Sequence, residues 1–234
     1  MNSLFFIVIL RKILKYKKME RLEITLAKRL LKINAIMFQP ERPFLWGNGW
    51  SAPIYNDNKI TLSYPDVRRF LKVELSRLIL ENFGEAEVVA SVAMGSIAMG
   101  ALVADTLGLP FVYLRNVPKD HGLENMIEGN FKPGQKVVLI EDLVSTGHNA
   151  IKAMHEMQLA GGEVLGMVAM FTYKFAEATE AFRQEGLQLL SLTNFDAMLE
   201  AALETGNITD KDAQDFELWH EDPESWTPET LKID

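Results

Sequence analysis

The chain has no cysteine, which excludes disulfide frameworks, thiolate zinc sites and cysteine nucleophiles. A reducing cytoplasm is compatible with that composition and is the expected location. Long apolar runs are also missing. The nearest to one, residues 4–10, is too short to span a bilayer as a helix. Its charges follow rather than precede it, and no small-residue cleavage site comes after, so it does not read as a secretory signal. A weak membrane-surface anchor is the alternative for this stretch, and stable insertion is not expected. Residues 1–18 are expected to be a disordered extension or an artefact of start-site choice, with Met19 as the natural start. Basic residues are in short supply. The formal charge is −8, but five of the bases and none of the acids fall in residues 1–18, leaving 19 basic against 32 acidic residues, or −13, beyond them. So acidic a chain is a poor candidate for nonspecific nucleic-acid binding, and an anionic substrate would need a local basic cluster. Internal repeats and low-complexity tracts are absent as well.

What is there reads as one substantial domain with a small appended subdomain, since 234 residues suffice for a full core. Leu22, Leu26, Leu30 and Ile33 recur at near-helical spacing and predict a helix over 19–37. Residues 39–43, with two prolines, end it, and 44–62, rich in Gly, Asn and aromatics, predict short hairpin-like pieces. Pro65 opens a further helix carrying 67–80. From Gly84 onward strands and helices alternate. Strands are expected at 88–92, 111–114, 137–140, 164–171 and 187–192, and helices at 97–107, 149–160 and 176–185. Such alternation implies βαβ crossovers, hence an α/β fold with a mostly parallel sheet flanked by helices. The expected organisation is an extension over 1–18, a helix and hood region over 19–83, an α/β core over 84–202 and an acidic tail over 203–234. Trp219 and Trp226 suggest that the tail docks. Met94, Met99, Met154, Met157, Met167 and Met170 read as core filler, and His155 and His220 as structural or solvent-facing.

The most telling stretch is residues 137–147. Four apolar residues without alternation suit a parallel strand covered on both faces. Glu141 and Asp142 are expected to emerge at its carboxyl end, where ligands of open α/β sheets bind. Ser145, Thr146 and Gly147 can then turn the chain so that consecutive backbone N–H groups face one anion at the start of the next helix. Acids for hydroxyls and amides for a phosphate make a ribose 5-phosphate cradle. The alternative is an ordinary strand-to-helix connection with a Ser/Thr cap, which would not need two adjacent acids. A second feature, Arg115 to Gly122, has the length and composition of a mobile loop. Arg115, Lys119 and His121 could converge there on a highly charged anion such as pyrophosphate, with Asp120 orienting a cation or assisting proton transfer. A solvated charged loop is the other reading. Third, residues 91–96 read as a strand running into a tight turn, where Gly95 permits an unusual backbone.

The run 137–147 resembles the phosphoribosyl pyrophosphate (PRPP) signature of the type I phosphoribosyltransferases: apolar strand, two acids, two apolar residues, Ser/Thr, a small residue, Gly. The loop Arg115 to Gly122 resembles the catalytic loop of the orotate phosphoribosyltransferases, Arg, three variable residues, Lys-Asp-His-Gly, with 125–129 similar to its return segment. The two motifs in this order are highly specific, and the resemblance covers most of 19–202. It implies transfer of a phosphoribosyl group from PRPP to orotate, giving orotidine 5-monophosphate in pyrimidine biosynthesis. It also implies Mg²⁺ carried mainly by PRPP near Glu141 and Asp142, and a homodimer whose loop serves the neighbouring subunit. Catalytic roles fall on Arg115, Lys119, Asp120 and His121. PRPP contacts fall on Glu141 and Asp142 for the ribose hydroxyls, on Leu143, Val144, Ser145, Thr146, Gly147, His148 and Asn149 around the 5-phosphate, and on Ala93, Met94 and Gly95 in the pyrophosphate loop. Residues 44–59 are similar to the orotate-side hood, keeping Gly49, Pro53, Ile54, Tyr55 and Asp57 but carrying Asn48, Ala52 and Lys59 where the family pattern has Ser, Ser and Arg. The family's other departures here are Asn116, where some members have Lys, Glu141 in the usual Asp-Asp pair, and Gly47, where some members use a Lys. Orotate contacts are expected from Gly49, Tyr55 and Ser145, with Lys174 as a substitute for an Arg used by some relatives. Two rivals share the cradle: transfer to a purine base, and a PRPP-sensing regulator without catalysis, against which the catalytic loop argues.

Overall fold

The computed structural model describes residues 22–115 and 126–228. Residues 22–32 form helix α1, which stops earlier than its hydrophobic spacing predicts. Asn34 takes a left-handed conformation (φ 56°) and the Ala35 N–H turns back to Leu30 O at 2.9 Å, closing the helix end. The chain released there pairs as a strand. β1 (Ile36–Phe38) runs antiparallel to β4 (Ile54–Asn56), and between them β2 (Phe44–Leu45) pairs with β3 (Ser51–Ala52). These nested hairpins form a hood. A 3-10 helix over Asn58–Ser63 then leads into α2 (Pro65–Asn82), whose proline sits in its first turn, where a missing N–H removes no helix bond.

Beyond α2 the alternation follows the sequence expectation: β5 (Val88–Val92), α3 (Ile97–Leu107), β6 (Phe111–Leu114), β7 (Ile127–Glu128), β8 (Lys136–Val144), α4 (His148–Leu159), β9 (Glu163–Thr172), α5 (Ala176–Gln184) and β10 (Leu189–Asn194). The sheet order is β10-β9-β8-β5-β6-β7, parallel except for the antiparallel pair of β6 and β7. β10 starts later than predicted because the Leu187 N–H bonds to Phe182 O, so that residue belongs to the closure of α5. The chain leaves β5 toward β6 on one side and β8 toward β9 on the other. The crevice between β5 and β8 is therefore a topological switch point, where open α/β sheets receive ligands.

Both faces of the sheet are covered, which is why its central strands lack polar alternation. Val138 and Ile140 of β8 face one core with α1, α2 and α3, while Val137 and Leu139 face the other with Ala153, Met154 and Met157 of α4. The chain ends in α6 (Phe195–Glu204) and α7 (Asp210–Glu221), the latter started by a capping box between Thr209 and Asp212. α7 packs on the hood: fully buried Trp219 donates from Nε1 to Ser51 O at 3.1 Å and meets Trp46, Tyr173 and Phe175 at 5.4–5.7 Å. Trp226 donates to Asp215 at 3.3 Å, and His220 stacks between Phe175 and Phe195. No helix among the described residues is long and apolar enough to cross a membrane.

Candidate active site

A cleft of ≈ 840 Å³ opens at the switch point, walled by the hood, the turn after β5 and the end of β8 with the turn that follows it. The turn after β5 is braced from behind by buried serines. Ser96 Oγ lies 2.7 Å from Val92 O and 2.9 Å from Ile140 O, so one hydroxyl ties the ends of β5 and β8, and Ser91 Oγ donates to Ser96 O at 3.0 Å. The Ala93–Met94 peptide within this turn is cis. A Cβ at position 95 would overlap the Asp142 carboxylate, which would have to move aside. Met94 is 78 % exposed and lines the cleft, which corrects its reading as core filler. The turn needs its backbone against the cleft and leaves this side chain without a core to enter.

Glu141 and Asp142 stand inside β8 rather than after it. Pairing with β5 stops at Ile140, whereas pairing with β9 continues through Glu141, Leu143 and Val144. The acids thus occupy the stretch where the strand has lost one neighbour, and that open edge is the cleft. Glu141 is 7 % exposed; burial, reinforced by Asp142 beside it, pushes its carboxyl well above the usual range, although it accepts the Asp142 N–H at 3.1 Å. Asn58 of the hood donates from Nδ2 to Asp142 O at 2.7 Å, a bond across 84 residues of chain. After the acids, Gly147 takes φ 83°, which a glycine adopts freely, and α4 starts at His148 with its first amides toward the cleft turn.

Every residue expected to contact PRPP lines this cleft: Ala93, Met94 and Gly95, and the run from Glu141 to Asn149. Of those expected at the base, Tyr55 and Ser145 line it, and Gly49 and Lys174 do not. Gly49 turns the β2–β3 hairpin (φ 90°), and Gly47 and Asn48 face the cleft instead. Lys174, at φ 57°, is directed to Asp196, with 2.9 Å between Nζ and Oδ2. Its neighbour Tyr173 reaches the cleft, a fully buried phenol whose hydroxyl has no partner among the described residues and is pushed upward in pKa by burial. Arg115 borders a smaller cavity of ≈ 110 Å³ that shares Val92 and Asn149 with the cleft, its guanidinium 3.6 Å from Glu128. Its N–H bonds to Met126 O at 2.8 Å, so the two ends of the loop are clasped together. Lys119, Asp120 and His121 lie outside the described residues. Sequence reasoning missed Trp46, Asn56 and Lys59 as cleft residues. The available signal was their place beside Tyr55 and Gly49 in the hood stretch.

The Phosphoribosyl transferase domain matches residues 70–182, the span from α2 through α5. Over 208 residues the chain is 52 % identical to the orotate phosphoribosyltransferase of Phocaeicola vulgatus, covering 89 % of this chain and 98 % of that one. It belongs to the orotate phosphoribosyltransferase family. The Bacillus subtilis member is 46 % identical over 86 % of this chain and 93 % of its own. Among solved structures, the orotate phosphoribosyltransferase of Aeropyrum pernix superposes with a TM-score of 0.69 at 24 % identity, covering 79 % of this chain and 99 % of that one, a likeness of fold. The relatives' similarity extends over 89 % of this chain, well beyond the residues 70–182 that the domain matches.

Proposed function

We propose that the cleft carries out transfer of the 5-phosphoribosyl group from PRPP to N1 of orotate, releasing pyrophosphate and forming orotidine 5-monophosphate for pyrimidine nucleotide synthesis. One observation carries the reading beyond family membership: paired carboxylates and the turn into α4 share one cleft with an aromatic, polar hood. Glu141 and Asp142 would accept the ribose hydroxyls. The turn from Val144 to Asn149 would hold the 5-phosphate through its N–H groups and the Ser145 and Thr146 hydroxyls. Ala93 to Gly95 would bring backbone to the pyrophosphate, and Tyr55 would lie against the base. Substitution at C1 passes through an oxocarbenium-like state, so no protein nucleophile is needed; the chain's part is to place the two reactants and exclude water. Arg115, Lys119 and His121 would take up charge on the departing pyrophosphate, with Asp120 beside them.

The donor set suits a hard cation that arrives with its substrate. No cluster of three or more His, Cys, Asp or Glu gathers among the described residues, and the cleft presents two adjacent carboxylates. That matches Mg²⁺, which is usually held by one or two carboxylates together with substrate phosphates. Asp142, the less buried of the pair, would hold it with PRPP oxygens, and the ion when bound supplies charge neutralisation for the pyrophosphate. A homodimer sharing the loop between subunits belongs to the same reading, as does a cytoplasmic location; activity restored by mixing a Lys119→Ala chain with an Asp142→Asn chain would support the shared site.

The deciding assay mixes the protein with PRPP, Mg²⁺ and orotate and follows orotate absorbance. Loss of that absorbance supports the proposal. Transfer to adenine or hypoxanthine without orotate loss would replace it with a purine enzyme, and PRPP binding without turnover would leave a sensor.

A further inference from the structure

Orotate and PRPP are both anionic at neutral pH, yet among the described residues only one lysine or arginine lines the cleft, Lys59. It follows the hood strand β4 and sits in the first turn of the 3-10 helix. Asp57 holds it in two ways: the Lys59 N–H donates to Asp57 Oδ1 at 3.1 Å, and the ammonium pairs with the same oxygen at 2.7 Å. The side chain remains 56 % exposed, so the ammonium keeps donors for a second anion. Besides Asp57, the charged and titratable groups acting on it are the Asp142 carboxylate and the Tyr55 phenol. Lys59 thus lines the same cleft as the Asp142 carboxylate and the Tyr55 ring, within electrostatic reach of both.

The chemistry of the acceptor points to the same place. The carboxylate of orotate is on the ring carbon next to N1, the nitrogen that bonds to ribose C1. In any productive pose it therefore lies where base and ribose meet. Among the described residues, Lys174 pairs with Asp196 outside the cleft, and Arg115 borders the smaller cavity beside Glu128. We propose that Lys59 is a specificity-determining residue of the transfer reaction, its ammonium pairing with the carboxylate of the base acceptor at the junction of hood and cradle. The assignment rests on the orotate reading above and adds to it the group that would separate orotate from uracil, which lacks only that carboxylate. Asp57 serves as the resting partner that keeps the ammonium near the junction before the acceptor arrives.

The test compares Lys59→Met and Lys59→Arg with the wild type, after circular dichroism and Tm confirm that each is folded. Loss of a charge-assisted bond should raise the KM for orotate by about 10- to 100-fold in Lys59→Met, leave the KM for PRPP in place, and be largely reversed in Lys59→Arg. An unchanged KM for orotate, or a rise in the KM for PRPP as large as that for orotate, overturns the assignment while the wild type still consumes orotate. A wild type that leaves orotate unconsumed overturns the function and the assignment together.

Discussion

At the end of the cleft built by β5 and β8, two buried serines, a nine-residue strand and a glycine fitted against a carboxylate fix where the groups stand. At the other end the hood is made of strands two or three residues long, and its polar groups are only partly engaged. Both side-chain atoms of Asn56 and Oδ1 of Asn58 are buried without a partner among the described residues, as is the hydroxyl of Tyr173, just after β9 beneath the hood. The contrast fits the two jobs proposed for the cleft. A cradle for a flexible polyanion works by preorganised amides and acids, whereas a hood that also packs against α7 can tolerate buried polar atoms only through the stability of the core beneath it. Asn58 is the link, since its amide joins the hood to the main chain of Asp142.

The largest expected effect comes from breaking the rigid end. Gly95→Ala forces the Asp142 carboxylate aside and should lower kcat/KM for PRPP by about 100-fold, as displacing a positioned group by an ångström does. Steady-state kinetics check it, with a normal Tm showing that the loss is local. Next, Asn58→Leu removes the bond between the ends. The KM for PRPP should rise by about 10-fold, the equivalent of one hydrogen bond of roughly 1.4 kcal/mol, and an unchanged KM would show that the two ends are independent.

Glu141 gives an effect on stability rather than on rate. Its carboxyl is raised in the folded protein by burial, so as pH rises through the ordinary carboxylate range the unfolded chain ionises it first. Stability from this group is complete below that range and is lost between it and the raised folded value. Glu141→Gln should therefore have a higher Tm than the wild type at pH 7 and lose that advantage near pH 4, while its KM for PRPP rises. Thermal melts across pH test the sign. The smallest change is expected from Tyr173→Phe, which deletes a buried hydroxyl with no partner among the described residues and should raise stability by up to about 1 kcal/mol; a drop in Tm would mean that the hydroxyl is satisfied in solution.

The same contrast governs how much could be read in advance. The cradle was legible because its signal is local: an unbroken apolar strand, two acids and a small-residue turn within eleven residues, Val137 to Gly147. Even there the placement of Glu141 inside β8 was not, since it depends on pairing with β9 continuing after pairing with β5 stops at Ile140. The hood was legible as hairpins but not as a surface. Which of its residues face the cleft is set by nested pairings, so Gly49 turns a corner while Gly47 and Asn48 face the ligand space. Lys174 was misplaced by a left-handed turn that aims it at Asp196, a partner 22 residues away whose position only the fold reveals. Met94 was read by its hydrophobicity, yet it stands in a turn with no core behind it.

The central claim is that the two ends of the cleft bind different molecules and join them. Its most direct measurement follows orotate absorbance and pyrophosphate release in one reaction containing the wild-type protein, orotate, PRPP and Mg²⁺. Equal amounts of orotate lost and pyrophosphate formed are expected; pyrophosphate without orotate loss, or no pyrophosphate at all, would contradict the account.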